Sequence, residues 1–505
     1  MKKAKLTLDR DYTVSPVDKR LYGSFIEHLG RAVYTGIYQP GHPEADESGF
    51  RKDVLSLVRG LDVPVVRYPG GNFVSGFDWR DSIGPRETRP SRLDLAWKTT
   101  ETNAVGMHEF CEWAKKANSS VMYAVNLGTG TPALAREAVE YANHPAGTAL
   151  SDLRAKNGSP DPLGIRLWCL GNEMDGHWQM GAKNALEYAC TANEAAKLMK
   201  WTDPSIELVA CGSSGSGMPT FGDWEWTVMS ECWDNIDYIS LHRYYGNPHN
   251  DTPDFLASTM DLDDFIKSVA AISRGVQGKR HSRHTVKLSL DEWNVWYHSG
   301  EKDRRVYESQ PWGQALPLLE DEYNFEDALL VGLMLITMLQ NADSVKIGCM
   351  AQLVNVIAPI MTSPTGSAWA QTIYYPLMQA SRYGRGVSLM PLLSCEKHDT
   401  RHYWGVPDVD AAAVLGDDGM ITVFAVNRDL KNDVLLSCDL RSFGSCRFVQ
   451  HSVLHHDNVK ACNTESHPDT VVPAEMRPEM TDGCVRLGAA SWNVLRFRPE
   501  EQDHA

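Results

Sequence analysis

No Cys-x-x-Cys pair occurs among the eleven cysteines of this chain, and an odd number cannot all be joined in disulfides. A cystine framework of the kind that staples small secreted domains is therefore not the basis of the fold. Cys169, Cys211 and Cys349 lie inside apolar runs, where a free thiol behaves as a small hydrophobe. The expectation is reduced thiols in a cytoplasmic protein. Long apolar runs are lacking too. The opening Met1-Lys2-Lys3-Ala4-Lys5-Leu6 is basic but has no apolar stretch behind it, which does not fit a secretory signal. The most apolar segment, 328–339, is too short to cross a bilayer and reads as a buried helix. Basic charge is in deficit, with 49 Lys and Arg against 65 Asp and Glu. A nucleic-acid binder advertises a basic surface, so neither nucleic acid nor membrane is expected as a partner. A neutral or cationic partner suits the excess acid better than an anionic one. Neither a solenoid-length repeat nor a low-complexity tract is visible.

What is present is a chain of 505 residues, long enough for one large domain and a smaller one. Apolar runs rich in β-branched residues recur at 21–27, 63–70, 121–127, 165–173, 207–212, 236–244, 286–292 and 345–355. Amphipathic stretches such as 105–117, 182–200 and 262–274 separate them. Apolar strands alternating with helices indicate a parallel sheet covered on its outer face, and eight such units close a (β/α)8 barrel. After about Ser388 the helical period stops and short alternating runs appear at 420–427, 434–440, 447–454 and 485–497, the pattern of an all-β sandwich. The predicted division is an α/β barrel over 17–387, a β-sandwich over 388–505, and an N-terminal strand in 1–16 that pairs with the sandwich.

In such a barrel the active site lies at the C-terminal ends of the strands. The last five strands end in chemically capable residues, among them Asn172-Glu173, His242-Arg243-Tyr244, Asp291-Glu292 and Gln352. Glutamates closing the fourth and seventh strands face each other across the barrel mouth, as two-carboxylate cleavage of a glycosidic bond requires. Three other patterns carry less. His281-Ser282-Arg283-His284 has metal-binding residue types but reads as a solvated turn, and His455-His456 reads as sandwich surface. Gly212-Ser213-Ser214-Gly215-Ser216-Gly217 lacks the lysine and spacing of a phosphate-binding loop and reads as a flexible loop over the site.

Longer motifs carry a specific resemblance. Tyr22-Gly23-Ser24-Phe25-Ile26-Glu27-His28-Leu29-Gly30-Arg31, Arg67-Tyr68-Pro69-Gly70-Gly71-Asn72-Phe73 and Trp168-Cys169-Leu170-Gly171-Asn172-Glu173-Met174-Asp175-Gly176 are three of them. Ser240-Leu241-His242-Arg243-Tyr244-Tyr245 and Ala351-Gln352-Leu353-Val354-Asn355-Val356-Ile357-Ala358-Pro359 complete the set. Together they resemble the intracellular α-L-arabinofuranosidases of glycoside hydrolase family 51, over nearly the whole chain. The resemblance implies Glu173 as acid/base and Glu292 as nucleophile, with no cofactor and no metal. It implies Glu27, Asn72, Asn172, Tyr244 and Gln352 as residues that hold the arabinofuranosyl ring, and Arg67 and His242 as neighbours of the carboxylates. Trp97 and Trp296 are candidates for the pocket walls, with core packing as the alternative. Arabinofuranosyl oligosaccharides as substrate and assembly into a hexamer are further implications. Two alternatives stay open: the scaffold could serve another pentoside or a β-glycan, or the chain could be an inactive carbohydrate binder. Glu27 has its own alternative, an ion pair with nearby Arg31.

Overall fold

A computed structural model of the chain describes residues 1–500. Eight parallel strands close a barrel in chain order: β1 (Gly23–Phe25), β2 (Val65–Tyr68), β3 (Ser120–Val125), β4 (Leu167–Leu170), β5 (Glu207–Ala210), β6 (Tyr238–Tyr245), β7 (Lys287–Val295) and β8 (Val345–Ala351). Each of the eight apolar runs overlaps one of them. The strands are buried on both faces because helices cover the outside, which is why they read as continuous apolar runs. The three amphipathic stretches coincide with helices at Met107–Lys116, Ala185–Thr202 and Thr259–Arg280, the last two running past the expected ends. Their ends lie where capping chemistry puts them. Ala185–Thr202 begins at Asn184, whose side chain accepts from the Glu187 N–H.

The segment 328–339 lies within the helix Phe325–Gln340, every residue of which up to Leu339 is buried. It is apolar all round because both its sides are covered. One side faces the barrel, and the other packs on the strands Val409–Gly416 and Ile421–Asn427 of the second domain. Among the described residues no helix is long and apolar enough to cross a membrane.

The second domain holds two main sheets. One orders Leu392–Ser394, Lys2–Thr7, Val434–Asp439 and Cys484–Leu487; the other has seven strands centred on Val409–Gly416, Ile421–Asn427 and Ser491–Pro499. Alternation along Ile421–Asn427 serves two cores at once. Ile421, Val423 and Ala425 join the core between the sheets, whereas Phe424 and Val426 join the barrel core. Lys2–Thr7 runs parallel to Val434–Asp439, and Thr13–Pro16 pairs antiparallel with Gly386–Leu389, so the N-terminal segment enters both sheets. The run expected as one strand at 485–497 is two strands in different sheets, broken at Gly488-Ala489-Ala490. All eleven cysteines are unpaired.

Candidate active site

The two glutamates reach the barrel mouth by different means. β4 ends at Leu170, so Glu173 is carried by the following turn rather than by the strand tip, with φ at +44°. A non-glycine residue is strained there, and such strain persists only where the surroundings enforce it. β7 instead runs on to Val295, past Glu292. Its pairing shifts against both neighbours: Ser240 and His242 of β6 face Ser289 and Glu292, while Gly348 and Met350 of β8 face Leu290 and Trp293. One extra residue in β7 is a bulge, which re-aims side chains. Consecutive Asp291 and Glu292 thereby both meet the same inward-facing residues, Arg67 of β2 and His242 of β6.

Glu292 is fixed from two sides. Arg67 Nη1 donates to Oε1 at 2.7 Å and the Tyr244 hydroxyl donates to Oε2 at 2.8 Å. Arg67 is 1% exposed and lies over the Phe25 ring at 4.8 Å. Burial alone would favour its neutral form, but Asp291 and Glu292 beside it hold it as a cation. Its Nη2 donates to Asn172 Oδ1 at 2.8 Å, and Asn172 Nδ2 reaches Asn72 Oδ1 at 3.3 Å. Tyr244 keeps its proton, because burial and the Glu292 carboxylate push its ionisation well above the ordinary range.

His242 stands between the carboxylates. Its Nδ1 is 2.9 Å from Glu173 Oε1 and 3.5 Å from Glu292 Oε2, and its Nε2 faces Asp291 Oδ1 at 3.5 Å. Burial opposes its charge, yet Glu292, Asp291 and Glu173 outweigh that and raise its pKa to about 10. At neutral pH it is an imidazolium, so Nδ1 donates to Glu173. Asp291 is held below the usual carboxylate range: burial raises it, but Arg67, His242 and the Ser240 hydroxyl, which donates at 2.5 Å, overcome that. One atom each of Glu173, His242 and Glu292 lie within 4.8 Å of one another, a spacing that could also ligate a metal ion. Two protein cations, Arg67 and His242, already occupy the cluster, which makes it a poor seat for a third.

Glu27 forms a separate corner. Its Oε1 accepts from the Phe73 N–H at 2.8 Å and from Trp97 Nε1 at 2.9 Å. Its own N–H donates to Gln352 Oε1 at 3.0 Å. Burial raises its pKa to about 8; the Phe73 and Trp97 donors lower it in part, and nearby Glu292 adds to the rise. Gly71 separates the two carboxylates by backbone alone. A Cβ there would stand 3.1 Å from Glu27 Oε2 and 3.1 Å from Glu292 Oε1.

The chain has known relatives. The family model for the α-L-arabinofuranosidase 1 domain matches residues 57–264, and that for the α-L-arabinofuranosidase C-terminal domain matches residues 291–491. The intracellular exo-α-(1→5)-L-arabinofuranosidase 1 of Bacillus subtilis (strain 168) is 56% identical over 503 residues, covering 99% of this chain and 100% of that one. The intracellular exo-α-(1→5)-L-arabinofuranosidase of Acetivibrio thermocellus is 52% identical over 98% of this chain and 100% of its own. A solved family 51 α-L-arabinofuranosidase from Bifidobacterium longum matches with a TM-score of 0.93 at 41% identity, over 99% of this chain and 100% of that chain. The chain belongs to the family 51 α-L-arabinofuranosidases.

In this family 51 chain the candidate residues fall into two neighbouring groups of contacts: Glu27 with Trp97 and Gln352, and Glu292 with Arg67, Tyr244, Asn172, Asn72, His242 and Glu173. Trp296, 43% exposed, stands edge-on to Tyr244 at 5.5 Å. Arg31 is not the partner of Glu27: it pairs with Glu320 at 2.6 Å. The 212–217 loop, expected to be flexible, is fastened by Ser213 N–H to Glu225 and by Ser214 to Asp175, the latter in the turn that carries Glu173. His284 bonds the Ile236 carbonyl at 2.8 Å. Two site residues escape the sequence reading. Asp291 is half of a motif in which only the following glutamate stood out. Trp178 donates from Nε1 to Glu173 Oε2 at 2.7 Å. The only available signal for it was its place five residues beyond Glu173.

Proposed function

We propose that this α-L-arabinofuranosidase works by double displacement with retained configuration, Glu292 being the nucleophile and Glu173 the acid/base. The observation that carries the reading is the asymmetric pair of carboxylates. Glu292 has one oxygen on a guanidinium and the other on a tyrosine hydroxyl, which orients it for attack. An oxygen of Glu173 lies within 4.8 Å of one of Glu292. That separation belongs with the ~5 Å of retaining enzymes and is below the ~6.5–9.5 Å that leaves room for an attacking water.

The first step has Glu292 attack C1 while Glu173 protonates the departing oxygen, giving a covalent arabinosyl ester. In the second step Glu173, now a carboxylate, takes a proton from water as the water attacks C1 and frees Glu292. Asn172, held by Arg67, is placed to bond the C2 hydroxyl, where contacts strengthen in the transition state. Glu27, Asn72, Tyr244 and Gln352 hold the furanose ring, and Trp97 and Trp296 stand as walls. The chain uses neither cofactor nor metal. The barrel over 17–387 is the catalytic domain, with the sandwich from 388 on and the strand segment 1–16 as its support; the last five residues of the expected sandwich, 501–505, lie outside the described residues.

The relatives are named exo-α-(1→5)-L-arabinofuranosidases and intracellular. We read this chain likewise as cytoplasmic, releasing terminal non-reducing arabinofuranosyl groups from short arabino-oligosaccharides, and as a homo-oligomer, a hexamer. Proton NMR of the first-formed product tests the stereochemistry: the expected product is the α-anomer, and early β-arabinofuranose refutes retention. For the roles, Glu173→Ala is to keep activity on nitrophenyl arabinofuranoside far better than on arabinobiose, and to form an α-glycosyl azide with added azide. Glu292→Ala is to do neither, and identical behaviour of the two variants refutes the assignment.

A further inference from the structure

Both oxygens of Glu173 accept a hydrogen bond from a protein donor. Oε1 receives His242 Nδ1 at 2.9 Å and Oε2 receives Trp178 Nε1 at 2.7 Å. The two donors differ in freedom. His242 is 2% exposed and wedged among Glu173, Glu292 and Asp291, whereas Trp178 is 45% exposed. A glycosidic oxygen is protonated only by a carboxyl oxygen that faces it, and the immovable imidazolium leaves Oε2 for that work. The indole stands where the leaving group must come.

The indole is also seated. A Cβ on Gly176 would lie 2.5–3.0 Å from three atoms of the Trp178 ring, so the ring lies against bare backbone. Gly176 is tied to the same turn, its N–H donating to the Glu173 carbonyl at 2.9 Å. The turn that carries the acid thus carries its own stopper, resting on a residue without a side chain.

We propose that Trp178 is a displaceable positioning residue: it holds Glu173 Oε2 before substrate arrives, yields it to the leaving group, and returns to orient Glu173 as base when the leaving group has gone. This rests on Glu173 being the acid/base, which the azide experiment tests separately. An unactivated leaving sugar needs the proton and must break the indole bond to get it. A nitrophenyl group departs unprotonated, so its kcat reads the second step, in which the returned indole fixes the carboxylate against water. Loss of the bond therefore has opposite consequences on the two substrates.

Trp178→Phe removes the N–H and keeps a ring; Gly176→Ala keeps the indole and pushes it off its seat. For both variants kcat/KM on arabinobiose is expected to rise about three- to tenfold, mainly through KM, since the indole hydrogen bond no longer has to be broken. On nitrophenyl arabinofuranoside kcat is expected to fall about two- to fivefold. A fall on both substrates overturns the proposal, because the bond then acts as a fixed support throughout. No change on either also overturns it, because Trp178 is then idle.

Discussion

Replacing Glu27 with glutamine changes one thing above all: the ability to ionise. The side chain is 3% exposed, its pKa is about 8 against an ordinary 4.5, and the cause is burial first and the Glu292 carboxylate further down. Its raised pKa means that the folded protein holds a proton that the unfolded chain has already released. The stability linked to that proton is fully present below pH ~4.5 and is lost as pH rises through ~8. Each pH unit in between is worth about 1.4 kcal/mol, so from pH 5 to pH 8 the wild type loses on the order of 4 kcal/mol that Glu27→Gln does not lose. For a chain of this length the entropy of unfolding is on the order of 1 kcal/mol per degree, so the difference amounts to about 4 °C. Glutamine keeps an oxygen for the Phe73 and Trp97 donors, which limits other effects. The measurement is Tm of both proteins by calorimetry at pH 5, 6.5 and 8. Tm of wild type minus Tm of the variant should fall steadily across that range. A constant difference refutes the reasoning and makes Glu27 an anion held by its two N–H donors throughout.

Two further outcomes follow from the same corner of the site. Wild type should prefer nitrophenyl α-L-arabinofuranoside over the arabinopyranoside by about a hundredfold or more in kcat/KM, because two rigid polar groups left unmatched cost about 1–3 kcal/mol each. Glu27→Ala should narrow that ratio, and an unchanged ratio removes Glu27 from ring recognition. Gly71→Ala forces a methyl to 3.1 Å from oxygens of both Glu27 and Glu292. It should lower kcat/KM by about ten- to a hundredfold through displacement of the carboxylates by a few tenths of an ångström. An unchanged rate shows that the corner yields freely.

The eight strands were legible because a barrel strand buried on both faces must be apolar along its length, and little else in the chain is. Strand ends were less so. Glu173 looks like the tip of β4, yet β4 stops at Leu170, since a turn through Gly171 at φ +91° leaves no trace in hydrophobicity. Glu292 looks like the end of β7 because polar residues follow, although pairing continues to Val295. The bulge that turns Asp291 inward is a register event between strands, and one strand's sequence does not contain it. The carboxylates were read from residue type and place, and the ring-holding set from family motifs. Trp178 had neither kind of signal. The break at 488–490 hid inside one run because both strands it separates carry buried apolar residues, Val485 and Leu487 in one and Val494 and Leu495 in the other.

The segment Lys2–Thr7 completes its sheet only against Val434–Asp439 and Leu392–Ser394. During synthesis at about 5–20 residues per second, the first strand made therefore waits on the order of 20–90 s for its parallel neighbour to leave the ribosome. Most of the barrel waits less, since each strand after the first pairs with the one made just before it and only the closing pair, β8 on β1, spans the domain. For that interval Lys2–Thr7 is an open edge, the kind that other nascent chains pair with. Lys2, Lys3 and Lys5 put three positive charges on six residues of it, a deterrent to such pairing. Once folded, Lys2 settles between Asp408 at 2.7 Å and Asp429 at 2.8 Å, so one of the guards of the waiting strand becomes its clasp.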